Sequence, residues 1–270
     1  MKRVAIIILS LLLLFTASYA DTSKIDVKIG VLAKRGAQKA LEKWGATTHY
    51  LNEYYPHYNV TIVPMGFDEI PMLVSNALVD FVIVNSGIYV DLEVKYGVNR
   101  IATLKNHLKS ESDVTKFGSV IFVKKDSPIH SLHDMIDARV AAVHPTSFGG
   151  WIMAKRELND VNIDSNAFKT LEYLYTHDKV VLGVLSGEFE VGIVRTDTLE
   201  RMGSEGKINM AKLRVINPKE HRDFPFLVSS RLYPEWPIAK LHHTQPKIAK
   251  DVVVALMKMN STSKAAQASK

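Results

Sequence analysis

Hydrophobic and polar positions follow two periods along the chain. From Ile25 onward, short runs rich in Val and Ile are followed by segments whose apolar residues recur every three or four positions. This is the pattern of strands alternating with amphipathic helices. Strands are predicted at 27–32, 60–64, 79–84 and 101–104, and a second series at 120–124, 139–143, 168–174 and 191–194. The alternation favours an α/β fold with mostly parallel sheets.

The segments between these strands predict helices. The first helix has one apolar face, made of Ala37, Ala40, Leu41, Trp44 and Leu51. The second is predicted to begin with Asp68 as its N-cap. Its apolar positions are Ile70, Leu73, Val74, Ala77 and Leu78. Further helices are predicted at 85–97, 148–158, 178–185 and 198–203, and a last one around 248–256.

The chain divides into two predicted lobes. Its 270 residues suit one large domain or two of modest size. The polar stretch 105–116 interrupts the alternation, and we interpret it as the first crossing between lobes. We assign 21–110 with 213–260 to lobe 1 and 111–212 to lobe 2. Residues 261–270 lack an apolar face and are predicted to form a flexible tail.

Residues 1–20 have the features of a secretory signal peptide. A basic start, Lys2 and Arg3, precedes an apolar run over 4–16, and Ser18 and Ala20 place small residues where a signal peptidase cleaves. The alternative is a single membrane anchor, for which the run is short. We therefore predict a periplasmic protein, cleaved before Asp21. Loss of this segment lowers the formal net charge from +6 to +4.

Composition excludes several classes of function. The chain has no cysteine, which excludes disulfides, thiolate metal sites and cysteine nucleophiles. No block of Lys and Arg is present, so nucleic-acid binding is not expected, whereas a mild positive charge suits a small anion. The pairs His130/His133 and His242/His243 lack further nearby ligands, and neither a metal nor a cofactor is predicted.

Polar residues follow five predicted strands at the point where each strand ends. These turns begin at 34, 85, 144, 176 and 195 and supply hydroxyls, backbone N–H groups or a cation. In open α/β sheets ligands bind at this edge, and free N–H groups at helix starts suit oxyanions. The alternative for any single turn is ordinary helix capping. The turn 145–150 is the most suggestive, since two hydroxyls precede two glycines that allow close approach of a ligand.

Several runs resemble a known family. IGVLAKRG followed by Trp44, VDFVIVNSGIYVDLE (79–93) and HPTSFGGW (144–151) resemble the phosphate/phosphite/phosphonate-type (PhnD-like) periplasmic solute-binding proteins. The runs 176–202 and 232–244 add to this resemblance. The similarity is closer still to the periplasmic input domains of tetrathionate-type sensor histidine kinases. The resemblance implies a two-lobe type II binding-protein fold, with two interlobe crossings, that closes on an oxyanion.

The resemblance also implies site residues. The Thr/Ser turn of the family matches Thr146 and Ser147, its tyrosine matches Tyr89, and its pocket histidine matches His177. A protonated His177 would add charge and make affinity depend on pH near neutrality. The argument from the turns adds three ligand-binding candidates, Ser86, Arg35 and Arg195. Binders of aminoalkyl phosphonates need acidic groups where this chain has Arg195, which favours an anion without a cationic tail.

These features predict a periplasmic solute-binding protein and not an enzyme. Its ligand is expected to be a phosphate, a phosphonate or a thionate, bound for uptake or for sensing. The expected partner is an ABC permease or a sensor histidine kinase at the inner membrane, and the alternative is an input domain or accessory of such a two-component sensor. An exported hydrolase using Ser147 and His177 is a further alternative, but the sequence indicates no third orienting group.

Overall fold

The structure, a computed structural model, describes residues 23–107 and 113–269; the predicted signal peptide lies outside these residues. The strands are β1 (Ile25–Leu32), β2 (Tyr58–Met65), β3 (Phe81–Ile83), β4 (Asn99–Thr103), β5 (Asn106–His107), β6 (Asp113–Val114), β7 (Lys116–Phe117), β8 (Ser119–Lys124), β9 (Arg139–Ala142), β10 (Thr170–Tyr173), β11 (Val191–Arg195), β12 (Leu213–Ile216), β13 (Tyr233–Pro234) and β14 (Pro237–Lys240). The helices are α1 (Ala37–Tyr54), α2 (Ile70–Ser75), α3 (Ser86–Tyr96), α4 (Met153–Asn159), α5 (His177–Ser186), α6 (Thr198–Ser204), α7 (Pro246–Lys258) and α8 (Lys264–Ala268). A π-helical turn, Phe148–Ile152, precedes α4.

Two five-stranded sheets form the centres of two lobes. The first has the order β2-β1-β3-β14-β4 and the second the order β10-β9-β11-β8-β12. In the first sheet β14 runs antiparallel to the other four strands, and in the second sheet β8 does so. The predicted α/β architecture with mostly parallel sheets is therefore confirmed.

Two segments run side by side between the lobes. Strand β7 pairs antiparallel with β13, and Glu235 donates its backbone N–H to the carbonyl of Thr115. The backbone N–H of Leu104 likewise donates to the carbonyl of Trp236. After the second crossing, β14 inserts between β3 and β4 and ties the end of the chain into the first sheet. The predicted pair of crossings is present.

Helix α3 begins and ends where the sequence indicates. The Asn85 side chain accepts a hydrogen bond from the Ile88 N–H, and Gly97 ends the helix in the left-handed conformation. The cap satisfies a backbone donor that has no partner within the helix, and glycine adopts a positive φ without steric cost. This places Ser86 at the carboxyl edge of the first sheet, facing the second lobe.

The predicted helix after Asp68 is shorter than its periodicity suggests. Helix α2 ends at Ser75 because Ala77 takes a left-handed φ of 53°, and the Leu78 N–H turns back to the carbonyl of Leu73. Leu78 is consequently exposed. Asp68 is not the N-cap, which is Glu69, so both parts of that prediction are wrong.

The buried face of the first helix differs from the predicted one at two positions, because Ala37 and Leu41 are exposed. Leu51 and Trp44 are buried as predicted, but Leu41 is 43% exposed and Thr47 is buried in its place. A prediction from apolar residues alone places every large aliphatic side chain in the core, although some of these side chains are exposed to solvent in folded proteins.

Two predicted lobe assignments fail at the end of the chain. Strand β12 pairs with β8 in the second sheet, so residues 213–216 do not belong to lobe 1. Residues 264–268, predicted as part of a flexible tail, form α8, in which Ser263 caps the helix and Ala265 is 2% exposed. Helix α8 packs against α1. No helix in the described ranges is both long and apolar enough to cross a membrane.

Replacing Leu51 with Ala should destabilise the protein by about 2–5 kcal/mol, because it leaves a cavity between α1 and the first sheet. Replacing Leu41 with Ala should change the free energy of unfolding by less than about 0.5 kcal/mol. Urea unfolding of the two variants measures both values. A large loss for Leu41→Ala would mean that the buried face is the one expected from periodicity.

A cationic cavity between the two lobes

The carboxyl ends of β1 and β11, one from each sheet, face a common cavity. The cavity has a volume of about 230 Å³. The first lobe supplies the turn after β1 and one face of α1, and the second supplies the end of β11 and helix α6. Six basic side chains and three carboxylates line it, together with two tryptophans and one amide: Lys34, Arg35, Lys39, Lys43, Arg195 and Arg201; Glu42, Asp197 and Glu205; Trp44, Trp236 and Asn106.

Asp197 is the buried counter-charge of this cavity. Its carboxylate lies 2.9 Å from Arg201 Nε, 3.6 Å from Arg195 Nε and 3.8 Å from Lys34 Nζ. Burial opposes ionisation, but Arg195, Lys34 and Arg201 together hold the pKa of this carboxyl well below its usual range. The residue has a left-handed φ of 70°, which Asp adopts more readily than most residues.

Arg195 is already paired within the protein. Its Nη2 donates to Glu235 Oε1 at 2.7 Å, and its guanidinium carbon lies 4.6 Å from the centre of the Phe117 ring. The guanidinium thus lies between a carboxylate and an aromatic ring of the protein. Arg195 contributes positive potential, while its donors are largely engaged.

The two lysines of the first lobe lie in surroundings that disfavour their charged forms. Burial, and next the nearby Arg195, lower the pKa of Lys34 well below its usual value. Burial, and next Arg201, lower the pKa of Lys43 to about 7. Each ammonium also lies over a tryptophan ring, Lys34 at 5.4 Å from Trp236 and Lys43 at 5.7 Å from Trp44. An anion in the cavity would favour the protonated form of both amines.

Three buried polar atoms around the cavity have no hydrogen-bond partner among the described residues. They are Asp197 Oδ1, Asn106 Oδ1 and Trp236 Nε1. Buried polar groups are nearly always satisfied in folded proteins, so such a group near a cavity indicates a place for a bound molecule. The indole N–H can only donate, which suits an oxyanion, whereas the two oxygens can only accept and suit a protonated or hydroxyl group of the ligand.

Arg35 joins the two lobes directly. Its guanidinium donates to both oxygens of Asp178 at 2.5 and 2.9 Å and to both oxygens of Glu205 at 2.8 and 2.7 Å. Lys207 contacts the same two carboxylates. Arg35 was predicted to bind ligand; it lies at the cavity, but its donors hold the lobes together.

His177 is buried beside the cavity and forms an interlobe hydrogen bond through its backbone. Its N–H donates to the carbonyl of Lys34 at 3.1 Å, and its Nδ1 accepts the N–H of Arg195. Burial and the cations Lys34 and Arg195 lower the pKa of the ring well below its usual value. The imidazole is therefore neutral, and the expected pH dependence from a protonated His177 is not supported.

The other predicted residues lie elsewhere. Ser86, Tyr89 and Thr146 line a separate cavity of about 480 Å³, also between the lobes. Each hydroxyl has a protein partner: Ser86 donates to the Pro234 carbonyl, Tyr89 to Glu93, and Thr146 pairs with the His144 ring. The structure brings Arg35, Arg195 and His177 together near the cationic cavity. Ser86, Tyr89 and Thr146 lie apart from them, at the other cavity between the lobes.

The Ser147 turn has a structural role. Its hydroxyl accepts the Gly150 N–H and caps the π-helical turn. A Cβ at Gly150 would lie 2.5 Å from Val143, and one at Gly149 would lie 2.6 Å from Arg195. The two glycines therefore allow the turn to pack closely on the second sheet. The atoms that approach them belong to the protein itself, to Val143 and Arg195.

Lys34 was predicted only as the start of one polar turn, and Lys43, Arg201 and Trp236 were not predicted as lining residues. A signal for part of this set exists, because Lys39 and Lys43 are four residues apart on α1 and Lys34 precedes the same helix. Arg201 follows Asp197 by four residues and could have been predicted as its partner. Trp236 comes from the second crossing, and its position depends on the tertiary fold.

The family model for the periplasmic substrate-binding protein of phosphonate ABC transporters matches residues 29–270. The chain belongs to this family. It is 28% identical over 229 residues to the tetrathionate sensor histidine kinase TtrS of Salmonella typhimurium, an alignment that covers 84% of the chain but 38% of that kinase. The chain thus spans about two fifths of the length of this relative.

Solved structures of the family share the fold. PhnD1 from Prochlorococcus marinus, in complex with methylphosphonate, matches with a TM-score of 0.73 at 14% identity, covering 90% of this chain and 88% of that one. A binding-protein component of an ABC phosphonate transporter from Pseudomonas aeruginosa matches with a TM-score of 0.76 at 16% identity, covering 91% and 78%. At these identities the likeness shows the type II fold, and the family and its neighbours are substrate-binding proteins.

Replacing Arg35 with Met should lower stability by about 1–2 kcal/mol at neutral pH, since four charge-assisted hydrogen bonds between the lobes are lost. Hydrogen bonding to Arg35 lowers the pKa of Glu205 to about 2, from about 4.3 in an unfolded chain. That contribution is present above the unfolded value and is lost as the pH falls toward 2. The stability difference from the parent should therefore be smaller at pH 3 than at pH 7, measured by urea unfolding.

Lys39→Met is the control for this experiment, because Lys39 contacts Glu42 on its own exposed helix surface. Its effect should stay below about 0.5 kcal/mol at both pH values. An Arg35→Met difference that is undiminished at pH 3 would contradict the assignment.

Proposed function

We propose that the protein closes its two lobes on a small, multiply charged oxyanion held in the cationic cavity. The observation that carries this proposal is the lining itself, in which basic side chains from both lobes outnumber carboxylates six to three. A ligand that contacts both lobes stabilises the closed state by its differential affinity. Of the seven predicted ligand-binding residues, Arg35 and Arg195 line this cavity, where they contribute positive potential while their donors contact protein carboxylates.

The lysines give the cavity its affinity. In the empty cavity burial and neighbouring cations disfavour their charged forms. An entering anion would replace lost solvation with charge-assisted hydrogen bonds, each on the order of 1.5–3 kcal/mol. Asp197 opposes the ligand electrostatically, but its Oδ2 accepts from Arg201 and its Oδ1 lies within 4 Å of Arg195 and Lys34, so it sets the orientation of the cations.

The ligand class follows from chemistry and from the relatives. PhnD1 was solved with methylphosphonate, and the curated relative senses tetrathionate. Both present oxyanion groups without an ammonium. The cavity has the matching excess of cations, so phosphonates and thionates are the first ligands to test.

Sensing is the role we favour over uptake. The alignment with the sensor kinase covers most of this chain at 28% identity, while the phosphonate-transporter structures share 14–16%. We therefore propose that the closed state is read by a histidine kinase, with an ABC permease as the alternative partner. Ligand-induced transcription that is lost on deletion of the gene supports sensing, whereas lost uptake of labelled ligand supports transport.

A hydrolase is not proposed. The Ser147 hydroxyl accepts the Gly150 N–H, and His177 Nδ1 accepts the Arg195 N–H. No hydrogen bond in the described part of the chain joins Ser147 to His177, so the arrangement that activates a serine nucleophile is not formed there.

Thermal unfolding with a panel of oxyanions tests the site. Methylphosphonate, phosphate, sulfate and tetrathionate are added to the exported protein at increasing concentration. A ligand at 100 times its dissociation constant should add about 2.7 kcal/mol and raise Tm by about 5–10 °C. Lys34→Met should reduce this shift strongly, because it removes a charge from the first lobe's side of the cavity.

Two controls separate the cavities. Lys28→Met removes an exposed charge on β1 far from the cavity and should preserve the shift. Thr146→Ala, in the other interlobe cavity, should also preserve it. Loss of binding in Thr146→Ala, with binding retained in Lys34→Met, would place the anion among the hydroxyls and refute the cationic site.

Binding should be coupled to proton uptake near neutral pH. The pKa of Lys43 is lowered to about 7 in the empty protein, and a bound anion raises it. Affinity should therefore be full below pH 7 and fall as the pH rises through the bound pKa. Calorimetry at pH 7.5 in buffers of different ionisation enthalpy measures the uptake directly.

Lys43→Met should reduce this proton uptake, with any remainder due to Lys34, while the fold is retained as checked by circular dichroism. An observed binding heat that is the same in all buffers for the parent protein would show that Lys43 does not titrate on binding.

A further inference from the structure

A third cavity, larger than the two between the lobes, lies within the first lobe. It has a volume of about 690 Å³, lies between the first sheet and helices α1, α7 and α8, and is partly open to solvent. Aliphatic side chains from four strands line it, contributed by Ile29, Ile62, Ile83 and Ile238. Protein interiors are close-packed, and voids much larger than a water molecule are few. A space of this size falls in the range of small-molecule sites, about 300–1,000 Å³.

Polar atoms in the wall of this cavity lack partners. Thr47 Oγ1 and Trp236 Nε1 have no hydrogen-bond partner among the described residues, although Thr47 is 4% exposed and Trp236 is 6% exposed. Both residues line the cavity. An alkyl chain gives these two polar groups no partner, so the aliphatic lining, and not the polar atoms, indicates the kind of occupant that this cavity suits.

The apolar cavity and the cationic cavity share a wall. Trp44, Leu104 and Trp236 line both. The ammonium groups of Lys43 and Lys34 lie over the rings of Trp44 and Trp236, so the positive charge is placed at this shared wall. Helix α8 covers both spaces, with Ala268 at the cationic one and Ala266 at the apolar one.

We infer that the ligand is an amphiphilic anion, with its oxyanion head in the cationic cavity and an unbranched apolar tail in the 690 Å³ cavity. This inference rests on the proposed function, since the head uses the same lysines. The tail would pass along Leu104, which is only partly buried, between the two tryptophans. Methylphosphonate would fill the head site alone.

A series of n-alkylphosphonates tests the inference. Methyl-, butyl- and octylphosphonate are titrated by calorimetry below their aggregation concentrations, with 1-octanol as the compound that has a tail but no charge. Affinity should rise about fourfold for each methylene over the first few carbons. Octanol should bind far more weakly than octylphosphonate, and Lys34→Met should weaken octylphosphonate strongly.

The outcomes separate this inference from the proposed function. Equal affinity for methyl- and octylphosphonate would overturn the amphiphile and leave the anion site standing. No binding of any phosphonate or other oxyanion would overturn both. Octylphosphonate binding that Lys34→Met leaves unchanged would place the chain in the apolar cavity alone and overturn the head-to-tail arrangement.

Ala102→Phe provides a variant that fills the apolar cavity. Ala102 lines the apolar cavity and does not line the cationic one. The variant should bind octylphosphonate no better than methylphosphonate, with methylphosphonate affinity unchanged. Val94→Phe, which adds the same ring at an exposed position of α3, should behave as the parent.

Tryptophan fluorescence provides a second measurement, which uses the parent protein and so does not require a variant to fold. An 8-bromooctylphosphonate should quench tryptophan fluorescence through contact with Trp44 and Trp236, while methylphosphonate should leave it almost unchanged. Absence of quenching at saturating ligand would contradict a tail in this cavity.

Discussion

The attraction between one buried carboxylate and three cations holds the centre of this protein together. Asp197 accepts Arg201 and lies within 4 Å of Arg195 and Lys34. Without that negative charge, cations from two lobes would face one another in a medium of low dielectric constant. Because the carboxylate belongs to the second lobe and Lys34 to the first, the same charge that neutralises the cavity also draws the lobes together.

The charge balance of the cavity leaves room for a negative ligand. Arg195 and Arg35 are engaged by Glu235, Asp178 and Glu205, so they act mainly in the architecture. The lysines are held in surroundings that penalise their charge. The protein thus separates two tasks that a simple basic patch would combine, since arginines join the lobes and lysines respond to the ligand. This division follows from chemistry, because the guanidinium keeps its proton whereas an ammonium gives it up when buried.

The sequence allowed the lobes and most elements to be predicted, because strand and helix periods are local properties of the chain. The ends of the helix predicted at 85–97 were predicted for the same reason, and they coincide with the caps Asn85 and Gly97. The site was harder to predict. Ser86, Thr146 and Ser147 have the residue types of an oxyanion turn, yet each hydroxyl is satisfied by the protein. Conversely, Trp236 comes from a crossing segment far along the chain, and no local pattern places it beside Lys34. The early end of α2 depends on the left-handed Ala77, which the apolar repeat did not reveal.

One contact between the lobes involves no side chain on either side. The His177 N–H donates to the Lys34 carbonyl, so the two main chains meet in a fixed register. Substitutions at either position can change the charge and shape of the cavity and still preserve this bond. The way the two main chains meet at this contact therefore does not depend on the side chains at positions 34 and 177. Single substitutions at these positions can alter which molecules the cavity suits without altering this contact, which is one physical basis for the evolution of new specificities on an old fold.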